Sequence, residues 1–339
     1  MAFEITGTGR AVPPRKVTND ELAKTIDTND EWIRSHTGIG SRHIADENTA
    51  CSDLALEAAK KALDMAFPGK TLEEAALSLD LIVIATATSD YYGAPSTACV
   101  VQDKLGAKNA AAMDVTAGCT GFIYGLETAA GLLSMSKDRK RALLIGSETL
   151  SKIINWDDRG TCVLLGDGAG AVVIEKTEAP NAGNGKRGLI RTILGADGSG
   201  GKHLYFHRGG SRDPFKAGET IEKPTYMVMN GQAVYNFAVK TMATLVEDIF
   251  LQEGISEKDV RFIIPHQANA RIVQAAAKRL KIPEEKFYLN IEEYANTSSA
   301  SIPIAMDELN RQGKLKSGDL VLAVGFGGGL TYGASLLVW

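Results

Sequence analysis

The sequence predicts an α/β protein made of two βα halves related by a pseudo-two-fold axis. Three observations carry that reading. Apolar runs too short and too β-branched for helices, such as 81–85, alternate with segments of helical periodicity such as 52–66. The order of elements starts again after a polar stretch, 176–186, that contains Pro180, Gly183 and Gly185. Comparable strand exits also recur at similar spacing, with 33 residues from Thr86 to Cys119 and 30 from His266 to Asn296. These signals place the halves at 1–178 and 187–339.

Taken in order, 3–9 reads as an opening strand. Thr18 and Thr28 each stand three residues before a glutamate, the spacing of a capping box, so two short helices follow. Segment 52–66 puts Leu54, Ala55, Ala58, Ala59, Ala62 and Leu63 on one helical stripe. Buried strands are expected at 81–85 and 110–115, and helices at 95–106 and 122–133. Strands at 142–145 and 161–165 come next, the latter turning through the glycines of 166–170 into 171–175 as a hairpin. In the second half, 188–195 repeats the opening strand and 197–222 is a polar excursion. Segment 230–253 is a long amphipathic helix with Val234, Phe237, Ala238, Met242, Leu245 and Ile249 inward. Strands are then expected at 260–265, 287–291, 320–324 and 334–339, and helices at 269–280 and 301–312.

Composition narrows the class. A chain of 339 residues, 44% hydrophobic and 23% charged, is long enough for two core-bearing units. A net charge of -4 and a pI of about 5.8 argue against a nucleic-acid partner or a polybasic membrane protein. No apolar run approaches the roughly 18 to 20 residues that span a bilayer, so no membrane partner is expected. Cys51, Cys99, Cys119 and Cys162 form no C-x-x-C pair, and no charged segment precedes an apolar one at the N-terminus, which predicts a cytoplasmic protein. His36, His43, His203 and His207 have no ligand spacing with any cysteine, so no metal is expected.

Cys119 ends an apolar run and precedes a helical segment. A thiol there would face the unpaired N–H groups of the first turn, whose partial positive charge favours thiolate. Ala117, Gly118 and Gly121 would let a substrate carbonyl approach the backbone closely. Singly, Cys119 also suits a buried core thiol, His266 a structural histidine, and Asn296 a turn or helix cap. On the two-fold arrangement all three sit at strand exits facing one crevice, where open α/β sheets bind their ligands.

Ala117-Gly118-Cys119-Thr120-Gly121, Pro265-His266-Gln267-Ala268-Asn269, Asn296-Thr297-Ser298 and Gly325-Phe326-Gly327-Gly328-Gly329 resemble the signature blocks of β-ketoacyl-acyl carrier protein synthase III, a condensing-enzyme family of the thiolase superfamily. The resemblance runs nearly end to end and includes Trp32, 159–162 and 166–170. It implies a thiolase-like fold layered α-β-α-β-α and a homodimer. The implied reaction is a decarboxylative Claisen condensation of an acyl-CoA primer with malonyl-acyl carrier protein. No tightly bound cofactor is implied; the coenzyme A thioester enters as substrate. By the same resemblance Cys119 carries the acyl group, backbone N–H groups of Cys119 and Gly328 form the oxyanion hole, and His266 and Asn296 stabilise the enolate. Trp32, Arg159 and Asn269 are implied to hold coenzyme A.

Arg271, Gln274, Lys278 and Lys281 share one helical face, with Arg279 beside them, and such a stripe suits an acidic carrier protein. Two positions depart from the pattern. His36 stands where many relatives carry an arginine toward the nucleotide. Ala94 stands where relatives often place a phenylalanine that reaches across the dimer into the partner's acyl pocket, so a primer pocket larger than acetyl requires is expected, with Tyr91 and Tyr92 near enough to refill it. The same Cys-His-Asn set also serves condensing enzymes of polyketide or quinolone pathways. A cysteine-dependent thioester hydrolase is the alternative of a different class, with His266 as base to water.

Overall fold

The computed structural model describes residues 1–178, 187–220 and 226–339. Strands β1 (Ala2–Ala11), β2 (Leu81–Ala85), β3 (Ala111–Val115), β4 (Arg141–Glu148) and β5 (Gly168–Thr177) form one sheet in the order β1-β5-β4-β2-β3. Strands β6 (Gly188–Ala196), β7 (Val260–Pro265), β8 (Leu320–Gly327) and β9 (Thr331–Val338) form a second, in the order β6-β9-β8-β7. In the first sheet β2 is parallel to β3 and β4, while β5 is antiparallel to β4 and β1. In the second, β7 is parallel to β8, while β9 is antiparallel to β8 and β6. The two sheets therefore share one strand order and one set of directions. The place of β3 is held in the second sheet only by a single parallel bridge, Ile263 to Phe287.

Both faces of the inner strands are apolar, as strands covered on two sides require. Ile82 and Ile84 of β2, with Leu143 and Ile145 of β4, face the outer helices α2 (Cys51–Ala66) and α3 (Thr97–Leu105). Leu81, Val83, Ala142 and Leu144 point the other way, onto α4 (Gly121–Ser134) and α7 (Ser301–Arg311). Those two helices lie between the sheets, because Val321 and Ala323 of β8 pack on them from the opposite side. Leu322 and Val324 face outward to α5 (Gly231–Glu253) and α6 (Ala270–Leu280). The layers are α2/α3, first sheet, α4/α7, second sheet, α5/α6, which is the expected α-β-α-β-α sandwich. A smaller cluster around Ile33, Ile39, Leu150, Cys162, Val163 and Ile291 joins α1 (Asp30–Thr37) to the crevice edge.

Several expectations are corrected. Residues 161–164 are turns and Leu165 makes a single parallel bridge to Asn296, so no strand forms; Thr161 donates to Asp158 Oδ2 (2.8 Å) and the segment packs in the smaller cluster. The glycines at 166–170 make no hairpin, since β5 pairs with β1 and β4. Residues 287–291 supply only the Phe287 bridge, and Ile291–Tyr294 is a helical turn. The β3 strand is half-buried rather than buried, because it is the edge of its sheet. The cap of α1 is Asn29, whose side chain accepts from Trp32 N, and not Thr28. A helix at Leu72–Leu77, capped by Thr71 and Glu74, was not expected. The boundary expected between 178 and 187 lies outside the described residues.

The most useful correction concerns the repeat. Helices α4 and α7 both begin from 3-10 turns, Gly118–Thr120 and Ser298–Ala300, whose first residues have φ of +51° and +48°. The counterpart of Cys119 is therefore Ser299, not Asn296. His266 to Ser299 then spans the same 33 residues as Thr86 to Cys119.

Candidate active site

Cys119 occupies the middle of the turn between β3 and α4. A Cβ at Gly327 would lie 2.5 Å from Cys119 N, and one at Gly118 would lie 2.8 Å from Gly328 N. The end of β8 and the Cys119 turn thus touch backbone to backbone only because both positions lack side chains, and Gly118 also needs its positive φ. Thr331 Oγ1 donates to the Ala117 carbonyl (2.8 Å) and fastens the two turns. Cys119 and Gly328 accordingly line the same cavity.

Burial pushes the Cys119 thiol up to about 11, against a hydrogen bond with Ser298 that lowers it. Relative to an ordinary value of 9.0 this corresponds to roughly 3 kcal/mol against the thiolate. A helix N-terminus returns at most about 2 kcal/mol. Desolvation wins, so the resting group is a thiol, contrary to the thiolate expected from position alone. Alkylation of Cys119 by iodoacetamide, followed by peptide mass mapping, should rise about tenfold per pH unit from pH 7 to 9.5. A plateau in that range would show a thiolate already formed.

His266 follows the last residue of β7 and is 1% exposed. Burial lowers its pKa to about 3, which makes the resting ring neutral. Its edge meets the Phe326 ring at 5.4 Å between centroids, and Nδ1 lies 2.8 Å from Ser301 Oγ. Asn296 is held by its N–H to Leu164 O (2.9 Å), and its Oδ1 accepts from Ser298 N (2.8 Å). Engaging the carbonyl oxygen leaves the amide NH₂ as the free end, a donor at any pH.

Cys119, His266, Asn296 and Gly328 share one cavity of about 560 Å³ with Trp32, His36, Arg159 and Asn269. The Trp32 ring is stacked by His36 at 4.5 Å, and the Arg159 guanidinium sits 5.0 Å from its centroid. Asn269 caps α6 through Arg271 N (2.9 Å) and donates to His36 O (3.1 Å), which ties α6 to α1. Arg271, Lys278, Arg279 and Lys281 are exposed, on the side of α6 opposite buried Ile272, Val273, Ala276 and Ala277. Ala94 is exposed and does not line the cavity of the single chain.

Residues 113–198 match the family described as 3-oxoacyl-[acyl-carrier-protein (ACP)] synthase III, and 250–339 match its C-terminal part. The beta-ketoacyl-[acyl-carrier-protein] synthase III of Caldanaerobacter subterraneus subsp. tengcongensis is 48% identical over 343 residues, covering 100% of this chain and 98% of the relative. That of Clostridium perfringens strain SM101 is 50% identical over 335 residues, 98% of each. The chain belongs to the β-ketoacyl-[acyl-carrier-protein] synthase III family. The crystal structure of 3-oxoacyl-[acyl-carrier-protein] synthase III from Aquifex aeolicus VF5 matches with a TM-score of 0.87 at 42% identity, over 99% of this chain and 100% of that one. As a synthase III family member the chain is a condensing acyltransferase of fatty acid synthesis with the thiolase fold.

Beyond the residues legible in the sequence, this synthase III fold brings four more to the site's frame. Ser298 orients Asn296, Ser301 meets His266, and Thr331 fastens the Cys119 turn. Glu148, fully buried at the end of β4, takes hydrogen bonds from Ala87 N (3.1 Å) and Thr88 Oγ1 (2.7 Å), and lies 2.9 Å from Ser299 Oγ. Burial raises its pKa despite those bonds. The one sequence signal for Glu148 was a carboxylate closing an apolar strand; the serines and Thr331 carry none outside their glycine- and asparagine-containing blocks. Among the described residues no group of three or more His, Cys, Asp or Glu is arranged to hold a metal ion. No described helix is long and apolar enough to cross a membrane.

Proposed function

We propose that Cys119, His266 and Asn296 carry out the decarboxylative condensation of an acyl-CoA primer with malonyl-acyl carrier protein. The supporting observation is the convergence of the thiol, the neutral imidazole, the free Asn296 amide and Gly328 on one cavity. Attack of the Cys119 sulfur on the primer thioester forms an acyl-Cys119 bond as the bond to the coenzyme A sulfur breaks. The oxyanion is held by backbone N–H groups of Cys119 and Gly328, each worth about 10²- to 10³-fold in rate. The malonyl thioester then loses carbon dioxide. Its enolate oxygen takes hydrogen bonds from Asn296 Nδ2 and from His266 when Nε2 carries a proton. The enolate carbon attacks the acyl-Cys119 carbonyl, and the released thiolate is reprotonated.

Trp32, Arg159 and Asn269 would hold coenzyme A at the exposed end of the cavity, the Trp32 ring offering a stacking face for the adenine. The exposed cations of α6 would receive the acidic carrier protein. Arg271→Glu combined with Lys278→Glu should cut turnover of carrier-bound substrate at least about tenfold while acyl loading from coenzyme A changes little; equal losses would sink the docking role. Edge strand β3, half-buried beside a fully buried β2, fits pairing with a second copy into a homodimer. Ala94, on the exposed segment after β2, would then lie where a partner's acyl pocket could receive it. Division at 1–178 and 187–339 and a cytoplasmic location complete this reading.

The deciding experiment is transfer of a labelled acyl group from coenzyme A to Cys119, followed by malonyl-acyl carrier protein. A labelled β-ketoacyl carrier product is expected, and free labelled acid would mean hydrolysis. Run with acetyl, isobutyryl and octanoyl primers, the same assay reads the pocket, where strict acetyl preference would rule out the enlarged pocket.

A further inference from the structure

The 3-10 turn Ser298–Ala300 supports both Asn296 and His266. Ser298 N donates to Asn296 Oδ1 (2.8 Å), and Ser301 Oγ lies 2.8 Å from both the Ser298 carbonyl oxygen and His266 Nδ1. Ser299, in the middle of the turn, is buried and does not line the cavity. Its side chain reaches the first sheet instead, with Oγ 2.8 Å from the Ala85 carbonyl oxygen and 2.9 Å from Glu148 Oε1. The backbones also touch there, since a Cβ at Gly146 of β4 would overlap the Ser299 carbonyl.

A serine hydroxyl has one proton, and the Ala85 carbonyl can only accept. The Ser299 proton therefore goes to Ala85 O, and its contact with Glu148 needs a proton from the carboxyl. The reverse assignment would leave the Ser299 and Ala85 oxygens 2.8 Å apart with no proton between them. Oε2 is the accepting end of the carboxyl. It takes the hydrogen of Thr88 Oγ1 (2.7 Å), whose own oxygen accepts from Thr149 N (2.9 Å), and the nearer share of the Ala87 N–H (3.1 Å). Burial disfavours the carboxylate, and no basic side chain among the described residues pairs with it. The titratable groups that feel its charge are the thiols of Cys51 and Cys119, both held neutral by burial.

We propose that Glu148 is a positioning residue that stays a neutral carboxylic acid, and that its Oε1 proton, through Ser299, fixes the turn supporting Asn296 and His266 for the decarboxylation step. The inference rests on the reading of Asn296 and His266 as enolate donors. Ionised, Glu148 would turn a lone pair toward Ser299, hold the Cys119 thiol up further and set a negative charge behind a site where an enolate forms. As the acid it ends a chain of donors running from Glu148 through Ser299 to Ala85 O. Acyl loading uses the other turn, which Gly327 and Thr331 hold, and does not depend on this chain.

The test measures two half-reactions of the full chain separately. Loading is coenzyme A release from acetyl-CoA without malonyl carrier, and condensation is product formation when malonyl-acyl carrier protein meets enzyme already acylated. Ser299→Ala should slow condensation by about 10- to 10²-fold and loading by no more than about threefold, as small misplacements of reacting groups do. Glu148→Met, which has no proton to give, should do the same. Glu148→Gln, with an NH₂ for Ser299 and a carbonyl for Thr88, should restore condensation to within about threefold of the wild type. Infrared spectra of the wild type at about pH 8 should show a protonated-carboxyl C=O band that moves on carbon-13 labelling of glutamate and is missing from Glu148→Gln. Absence of that band overturns the proposal, as does a Ser299→Ala protein that slows both half-reactions equally or neither, or a glutamine variant that restores nothing. The wild-type spectrum decides even if the variants do not fold. Normal condensation by Asn296→Ala would instead defeat the proposed function and leave the protonated carboxyl standing.

Discussion

Cys119→Ala is expected to lower acyl loading and condensation together by about 10⁵-fold or more, with the fold unchanged. Loss of a covalent nucleophile is among the largest single-residue effects known in enzymes, of the order of 10⁶ in a serine protease. Alanine fits the site, because the turn is fixed by Gly118, Gly327 and the Thr331 bond and not by the sulfur. Coenzyme A release and β-ketoacyl product formation are the measurements, with a thermal melt to verify folding. Retention of either activity would falsify the assignment of Cys119.

Gly327→Ala is expected to reduce kcat at least about 10²-fold while KM for the acyl-CoA stays within a few fold. The added Cβ would sit 2.5 Å from Cys119 N and 3.0 Å from Cys119 Cβ, so no flexible side-chain end can swing away. The backbones must part, and an oxyanion donor displaced in this way costs about what its removal costs. Strain of this kind also lowers stability by roughly 1–3 kcal/mol. Trp32 and Arg159 are untouched, which is why KM should hold. Gly328→Ala is the control, since its Cβ would meet only Leu204 at an ordinary 3.6 Å. Steady-state kinetics of the two variants separate close approach from mere loss of a glycine, and equal effects would refute the backbone contact as the cause.

The βα alternation was legible because β2 and β4 are apolar on both faces, a pattern of doubly covered strands, whereas the α-β-α-β-α layering was implied only by the family resemblance. Cys119 and His266 were legible because each stands where an apolar run stops, and Asn296 through the repeat spacing and its Asn296-Thr297-Ser298 block. Segment 161–165 misled because its apolar residues are buried by packing on Ile33 and Ile39, with only the single Leu165 to Asn296 bridge in place of a ladder. Segment 287–291 misled because a single bridge suffices where the first half has a whole strand. The offset in the repeat had a chemical origin. Matching Cys119 with Asn296 pairs residues by reactivity, whereas the backbone pairs them by turn, and Ser299 has the turn without the reactivity. Ser301 and Glu148 were invisible for a simpler reason: their partners are 35 and 151 residues distant in the chain.

The shared strand order means that the fold generates two symmetry-related junctions, only one of which holds the cavity. At the other, Ser299 stands for Cys119, Thr86 for His266, and the Glu148 carboxyl closes the strand that in the second half ends in Gly327. Ser299 donates to Ala85 O (2.8 Å) and is bonded to Glu148, all fully buried. A duplicated architecture has thus been divided in two: one junction stays open and reactive, while its two-fold counterpart is filled with hydrogen bonds.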